Sequence, residues 1–203
     1  MDDGTNDLRI AELLAARLCH ELVSPIGAIN NGVELLTDDP DFAADAAALI
    51  EQSAVQATRR LQFYRIAYGS TASIAADLAR KATLDLFADG KIACAWPESL
   101  VPSVGTKLAC NLLLVAAEAL PRGGSLTLAA SAAAGLEVQA AGEGVRLPGH
   151  LPDGLGGLLT GEAIDARSVQ AAFTGALARR AGLRPSIETV ASGGLLFRLA
   201  SAG

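Results

Sequence analysis

The sequence predicts an α+β protein in which a helical hairpin precedes an α/β sandwich. Apolar residues recur at steps of three and four through residues 7–36, the spacing of one helix face. The polar break TDDPDF at residues 37–42 is short enough to join two antiparallel helices. After GSTAS at residues 69–73 the pattern changes to alternating strands and helices. The predicted units are therefore residues 1–70 and residues 74–203.

The composition is that of a globular protein and argues against two classes of partner. The 203 residues are 51% hydrophobic and 19% charged, with a formal net charge of −6 and no run of Lys or Arg. A nucleic-acid partner therefore has little electrostatic support. No stretch reaches the roughly 20 uncharged apolar residues of a membrane span, and the start MDDGTNDLRI lacks a basic signal region. We expect a cytoplasmic protein that binds neither nucleic acid nor membrane.

The first predicted helix, residues 7–36, carries an apolar stripe that needs a cover. The stripe consists of Ala11, Ala15, Leu18, Leu22, Ile26, Ile29, Val33 and Leu36. A second helix follows to Tyr68, with Asp39 as its N-cap, Pro40 in its first turn and Gly69 after its end. Because one hairpin cannot bury both stripes, we expect two hairpins to form a four-helix bundle in a homodimer. Docking of the hairpin onto the rest of the chain is the alternative.

The second unit is predicted to be a sheet with helices on one face. Helices are expected near residues 75–87, 104–120 and 167–181, and a strand in KIACAWP at residues 91–97. SLTLAAS and LEVQAAG, at residues 125–131 and 136–142, form a hairpin turning near Gly135. SIETVAS and LLFRLAS, at residues 186–192 and 195–201, form the last strand pair, and GHLPDGLGGLLTG at residues 149–161 is a loop.

Several residue types that often mark sites are predicted to be structural here. The three cysteines are widely spaced without a CxxC pattern, so neither a disulfide framework nor a zinc site is expected. Small buried thiols are expected instead at Cys19, Cys94 and Cys110. His150 is predicted to be a solvated loop residue, and Trp96 to pack at a strand end.

His20 lies on the face of the first helix opposite the apolar stripe. With about 100° per residue, His20 falls about 180° from Ala11. Its neighbours within about 60° are Arg17, Ser24, Gly27 and Asn31. An exposed neutral imidazole is a competent nucleophile, and the adjacent Glu21 carboxylate is suited to orient the ring through Nδ1.

The string CHELVSPIGAI at residues 19–29 resembles the H-box of bacterial sensor histidine kinases. The matching residues are His20, Glu21, Leu22, Pro25 and Ile26. Pro25 leaves the carbonyl of Glu21 without its usual helical donor. The resemblance implies a dimerisation and histidine-phosphotransfer bundle with His20 as the phospho-accepting residue.

The second unit resembles the ATP-binding domain of the same kinases, with degenerate nucleotide motifs. In NLLLVA, Asn111 is kept, but Val115 stands where the family has a Mg²⁺-coordinating Asn. In AAGEG, Ala140 replaces the adenine-binding Asp, while Gly142 and Gly144 remain. The third glycine box is reduced to TGALA around Gly175, and GGLLFRL resembles the closing strand. We expect no ATP binding, because both specific anchors are lost.

Together these features resemble the ChpT-type histidine phosphotransferases. The resemblance implies a homodimer that carries phosphate from the receiver domain of a CckA-like hybrid histidine kinase to CtrA-like and CpdR-like response regulators. Mg²⁺ would come from the partner receiver, so this chain is expected to bind no cofactor or metal of its own. The alternatives are an ATP-dependent sensor histidine kinase and a non-catalytic dimeric adaptor of receiver domains.

Three arginines are further candidates for contacting a phosphoryl group or a receiver. Because the hairpin turns near Asp39, Arg59 and Arg60 are expected to return to the level of His20. Arg17 lies one turn before His20, and solvation is the alternative for all three. Ser24, one turn after His20, stands where the kinases often carry a residue that assists dephosphorylation.

Overall fold

The computed structural model describes residues 3–38, 40–70, 74–98, 105–131, 135–191 and 193–201. The helices are α1 (Asp3–Asp38), α2 (Ala43–Tyr68), α3 (Ala76–Phe87), α4 (Thr106–Ala117), α5 (His150–Gly156) and α6 (Val169–Arg180). Single 3₁₀ turns occur at Pro40–Phe42 and Gly161–Ala163. The strands are β1 (Ile92–Ala95), β2 (Gly124–Ser131), β3 (Gly135–Ala141), β4 (Leu183–Thr189) and β5 (Leu195–Ser201).

Helices α1 and α2 form the predicted antiparallel hairpin. They approach closely at Gly32, where an added Cβ would lie 2.6 Å from Cγ1 of Ile50. Pro25 and Gly32 are both buried, whereas no residue of the predicted stripe is. Ile26 and Val33 in that stripe are both 49% exposed. The single chain therefore leaves much of the stripe uncovered.

The second unit is a five-stranded sheet in the order β1-β2-β3-β5-β4. Only the β1–β2 pair is parallel, and the other three pairs are antiparallel. Side chains alternate along β3, with Leu136, Val138 and Ala140 buried and Gln139 exposed. Residues 108–116 of α4 are all buried. The helices therefore cover one sheet face, as predicted, and the α+β fold class is confirmed.

The hydrophobic core continues from the sheet into the helical hairpin. Phe63 and Ile66 of α2 belong to the same cluster as Leu112 of α4 and Phe197 of β5. A second cluster joins Ile10 and Leu14 of α1 to the start of α6 through Ile164, Val169 and Ala172. The hairpin is thus anchored to the sandwich at two places. The predicted boundaries at residues 70 and 74 stay predictions.

Some local predictions were wrong. The loop predicted at residues 149–161 contains α5, which follows Gly149 directly. Helix α2 does end at Tyr68 with Gly69 after it, as predicted, but Gly69 has φ −60° and ψ 159°, an extended conformation that needs no glycine. Cys19 is exposed and Cys94 half-buried, so only Cys110 is the fully buried thiol expected. Trp96 is 6% exposed, as predicted, while the predicted cap Asp39 lies outside the described residues.

Candidate functional site

His20 is exposed on α1, as the helical wheel predicts. Ser24 and Asn31 are also exposed on this face. An added Cβ at Gly27 would meet no atom within 4 Å, so the helix surface beside His20 is open within the chain. The structure therefore brings His20, Ser24, Gly27 and Asn31 onto one accessible surface.

The turn that follows His20 is held from the neighbouring helix. Pro25 has no N–H, so the carbonyl of Glu21 lacks its intrahelical donor. Arg60 Nη1, on α2, donates to that carbonyl oxygen at 2.6 Å and to Glu21 Oε2 at 2.6 Å. The Glu21 carboxylate is thus held by α2, and its predicted role in orienting His20 stays a prediction.

The other two candidate arginines form ion pairs with the second unit. Arg59 donates to Asp89, and Arg17 Nη1 lies 3.5 Å from Glu118 Oε1. Arg60 pairs with Glu21, the residue next to His20, and therefore lies at the level of His20 as predicted. The guanidinium of Arg59 instead pairs with Asp89.

His150 was predicted to be a solvated loop residue, and this is wrong. Its Nε2 lies 2.9 Å from Glu118 Oε2, and its side chain is 27% exposed. Glu118 therefore lies between His150, at the start of α5, and Arg17, one turn before His20. Thirty-two positions separate Glu118 from His150, so no local sequence pattern signals this contact.

A polar cleft of about 390 Å³ lies between the hairpin and the second unit. Its lining includes Arg17, Glu21, Arg60, Tyr64 and Glu118. Burial raises the pKa of Tyr64 to about 12, and the negative charge of Glu21 adds to the effect. Tyr64 therefore stays protonated near neutral pH and presents a neutral hydroxyl.

The nucleotide motifs are absorbed into the protein interior. Val115 and Ala140 are both 0% exposed. Asn111 is also 0% exposed, and its Nδ2 donates to the carbonyls of Ala67 at 2.7 Å and Lys107 at 2.8 Å. Both ends of the amide are used, because Asn111 Oδ1 accepts a hydrogen bond from Gln170 Nε2 at 2.9 Å.

Asn111 is the centre of a buried network that joins three helices. Gln170 Oε1 accepts a hydrogen bond from Tyr68 Oη at 2.7 Å, and Thr174 Oγ1 donates to the Gln170 carbonyl at 2.7 Å. Tyr68 belongs to α2, Asn111 to α4, and Gln170 and Thr174 to α6. The network therefore fixes the end of the hairpin against the second unit.

Gly175 of the reduced third glycine box serves close helix packing. An added Cβ there would overlap the carbonyl oxygen of Leu155 in α5. At Gly154, on the facing helix, an added Cβ would lie 2.7 Å from the Cβ of Ala171. Small residues on both helices thus bring α5 and α6 into contact.

The described residues include neither a metal-binding cluster nor a helix that could span a membrane. Among those residues, no group of three or more His, Cys, Asp or Glu side chains could hold a metal ion. In the part of the chain that the structure describes, no helix has the length and apolar character to cross a membrane.

The helical hairpin with its exposed histidine and the five-stranded α+β unit that follows it together have the architecture of a bacterial phosphotransferase. Residues 76–193 match the family model described as the histidine phosphotransferase C-terminal domain. The chain belongs to the histidine phosphotransferase family, as the motifs around His20 and Asn111 predict.

Comparison with individual proteins supports the same assignment. The chain is 37% identical over 193 residues to the protein phosphotransferase ChpT of Brucella abortus (strain 2308), covering 91% of this chain and 92% of that protein. A 1.7 Å structure of a bacterial phosphotransferase superposes with a TM-score of 0.79 at 37% identity, covering 95% of this chain and 96% of that one. The resemblance to ChpT-type proteins is therefore confirmed along nearly the whole chain.

Proposed function

We propose that this phosphotransferase relays a phosphoryl group between receiver domains through a phosphohistidine at His20. The observation that carries the proposal is the contrast between the two histidines of the sequence. His20 is exposed beside an open helix surface, whereas His150 is partly buried against Glu118. A phospho-accepting histidine must be accessible to a whole receiver domain. Of the two histidines, His20 alone lies on a surface that is open enough.

The proposed transfer begins with a neutral imidazole that carries its proton on Nδ1. The Nε2 lone pair attacks the phosphorus of an aspartyl phosphate on the donor receiver, so the N–P bond forms as the P–O bond to the aspartate breaks. The aspartate leaves as a carboxylate, and the Nδ1 proton stays on the ring. The carboxylate of a second receiver then attacks the phosphorus, so a P–O bond forms as the N–P bond breaks, and its electron pair returns to Nε2 of the neutral imidazole.

The residues around His20 have supporting roles in this proposal. Glu21 orients the ring, and Ser24 influences how long the phosphohistidine lasts. Mg²⁺ held in the receiver would neutralise charge on the phosphoryl group during transfer. The main contribution of this chain would then be to position the imidazole of His20. In this proposal a receiver helix approaches over Gly27 and Asn31, and its acidic edge meets Arg17 and Arg59.

We further propose that the chain does not phosphorylate itself from ATP. Val115 and Ala140 are buried apolar residues where the kinase motifs require a metal ligand and an adenine acceptor. The retained Asn111 already donates to two carbonyls and accepts from Gln170. Binding a nucleotide there would break these buried hydrogen bonds, at a cost of about 1–3 kcal/mol for each group left unpaired.

A homodimer built on the helical hairpin is the proposed assembly. Val33, Ile26 and Leu36 in the stripe of α1 are 39–49% exposed, and Phe42 and Leu61 of the second helical segment are each 49% exposed. Burying such apolar surface against a second hairpin supplies the driving force for a four-helix bundle. His20 lies opposite the stripe, so the dimer leaves it accessible.

The proposed partners follow from the resemblance to ChpT-type proteins. The donor is the receiver domain of a CckA-like hybrid kinase, and the acceptors are CtrA-like and CpdR-like response regulators. A cytoplasmic location, where these receivers would be met, stays part of the proposal.

A transfer assay tests the proposal. A receiver phosphorylated on its aspartate with ³²P is mixed with the parent protein, with His20→Ala or with His150→Gln. We expect label on the parent and on His150→Gln, and none on His20→Ala. Onward transfer by His20→Ala at the parental rate would instead favour an adaptor. Labelling of the parent by ATP and Mg²⁺ alone would favour an active kinase.

A further inference from the structure

We infer that Arg60 is a positioning residue for phosphoryl transfer, which sets the orientation of His20 by replacing the helical hydrogen bond that Pro25 removes. The inference rests on the proposed function of His20. It assigns Arg60 a role through the backbone of Glu21 in place of the direct contact with a phosphoryl group or a receiver considered from sequence.

The need for such a residue arises from the backbone of α1. In an α-helix the carbonyl of residue 21 accepts from the N–H of residue 25, and proline has none. Pro25 is nevertheless inside α1 and is buried. The turn beginning at Glu21 therefore lacks one of its own restraints, and His20 is the residue directly before it.

Arg60 supplies the missing donor from α2. Its Nη1 lies 2.6 Å from the Glu21 carbonyl oxygen and 2.6 Å from Glu21 Oε2. The side chains of Arg60 and Glu21 are 31% and 32% exposed, so both are partly withdrawn from solvent. Charge-assisted hydrogen bonds of this kind are stronger than neutral ones. One nitrogen thus holds both the main chain and the side chain of the residue next to His20.

The surroundings of Arg60 favour a fixed position. Tyr64, one turn further along α2, is 6% exposed and lines the same polar cleft as Arg60 and Glu21. Arg59, the preceding residue in α2, is directed away toward Asp89. The two arginines are adjacent in sequence, but only Arg60 is hydrogen-bonded to the backbone of α1 in the described structure.

The inference predicts a specific coupling between Arg60 and Pro25. Arg60→Gln should slow acceptance of phosphate by His20 about tenfold or more, because small displacements of a reacting group carry large rate penalties. Pro25→Ala restores an N–H for the Glu21 carbonyl. In that background Arg60→Gln should slow transfer by less than about threefold, measured in the same single-turnover assay.

Arg60→Lys and Arg65→Gln are the companion variants. Both hydrogen bonds to Glu21 come from one nitrogen, so the single nitrogen of lysine should recover part of the lost rate. Arg65 is exposed on the same helix, and Arg65→Gln removes the same charge without touching Glu21. We expect its transfer rate to stay within about twofold of the parent.

A spectroscopic measurement separates misplacement of the ring from loss of the fold. The sequence contains two histidines, so a ¹H–¹³C spectrum of the imidazoles has two sets of signals. Arg60→Gln should shift the signals of His20 and leave those of His150 in place. Parental circular dichroism would show that the variant is folded.

The outcomes separate the inference from the proposed function. If Arg60→Gln slows transfer equally in the parent and in the Pro25→Ala background, or leaves the His20 signals unchanged, Arg60 does not act through this turn and the inference is overturned. If His20→Ala transfers phosphate like the parent, the proposed function itself fails, whatever Arg60 does.

Discussion

Replacing Asn111 by alanine should destabilise the protein substantially, because this side chain joins α2, α4 and α6. The variant removes the donor for the Ala67 carbonyl and the acceptor for Gln170 Nε2, bonds of 2.7 and 2.9 Å. Asn111 and Gln170 are both 0% exposed, so water cannot replace the lost partners without entering the core. At about 1–3 kcal/mol for each buried group left unpaired, we expect a loss of about 2–6 kcal/mol.

Urea unfolding at one fixed protein concentration measures this loss, since the stability of the proposed dimer would depend on concentration. Asn30→Ala is the matched control, because Asn30 is exposed on α1, and it should change the free energy of unfolding by less than about 0.5 kcal/mol. Hydrogen exchange should also quicken near Ala67, where the hairpin loses its tie to α4. A loss below about 1 kcal/mol for Asn111→Ala would refute the reasoning that this network holds the two units together.

Three further predictions concern the helices and the buried tyrosine. Gly27→Ala should raise the free energy of unfolding by about 0.5–1 kcal/mol, since an added Cβ meets no atom within 4 Å. Gly32→Ala should lower it by about 1–3 kcal/mol, because the added Cβ overlaps Ile50. Changes of the same sign for the two variants in thermal unfolding would contradict this prediction. Val33→Glu should convert the proposed dimer to a monomer in analytical ultracentrifugation, and a mass equal to that of a dimeric parent would contradict the proposed interface. Because the pKa of Tyr64 is raised to about 12, its contribution to stability is complete below about pH 10 and is lost as pH rises toward 12. Tyr64→Phe should therefore lose less stability than the parent over that range, as urea unfolding at each pH would show.

The helices and the exposed histidine were predictable because their signals are local. The period of three to four residues in α1 identifies both a helix and the face that carries His20. The break at residues 37–42 is enough to define a hairpin. Each of these inferences needs only residues within one or two turns of one another.

The contacts around the site were not predictable because their partners are distant in sequence. Thirty-nine positions separate Arg60 from Glu21, and 59 separate Gln170 from Asn111. The sequence indicates that the Glu21 carbonyl lacks a donor, but not which side chain supplies it. Tertiary packing alone selects Arg60.

The last strand pair shows how an edge position relaxes a sequence rule. The predicted strand at residues 186–192 is observed three residues earlier, at Leu183–Thr189, and includes Pro185. Proline cannot donate to a sheet and is tolerated on edge strands. β4 is at the edge of the sheet, where it pairs with β5 alone, so Pro185 needs no second neighbour.

The first turns of α1 restrict how this protein can be divided or recombined. Besides the cluster around Ile10, Asn6 Oδ1 accepts the Gly161 N–H at 2.8 Å and Arg9 Nε donates to the Ile164 carbonyl at 3.3 Å. A chimera that grafts this hairpin onto the sandwich of a relative would have to bring a matching surface near Ile164. The two parts therefore depend on each other, because residues in the first turns of α1 contact residues some 150 positions later in the chain.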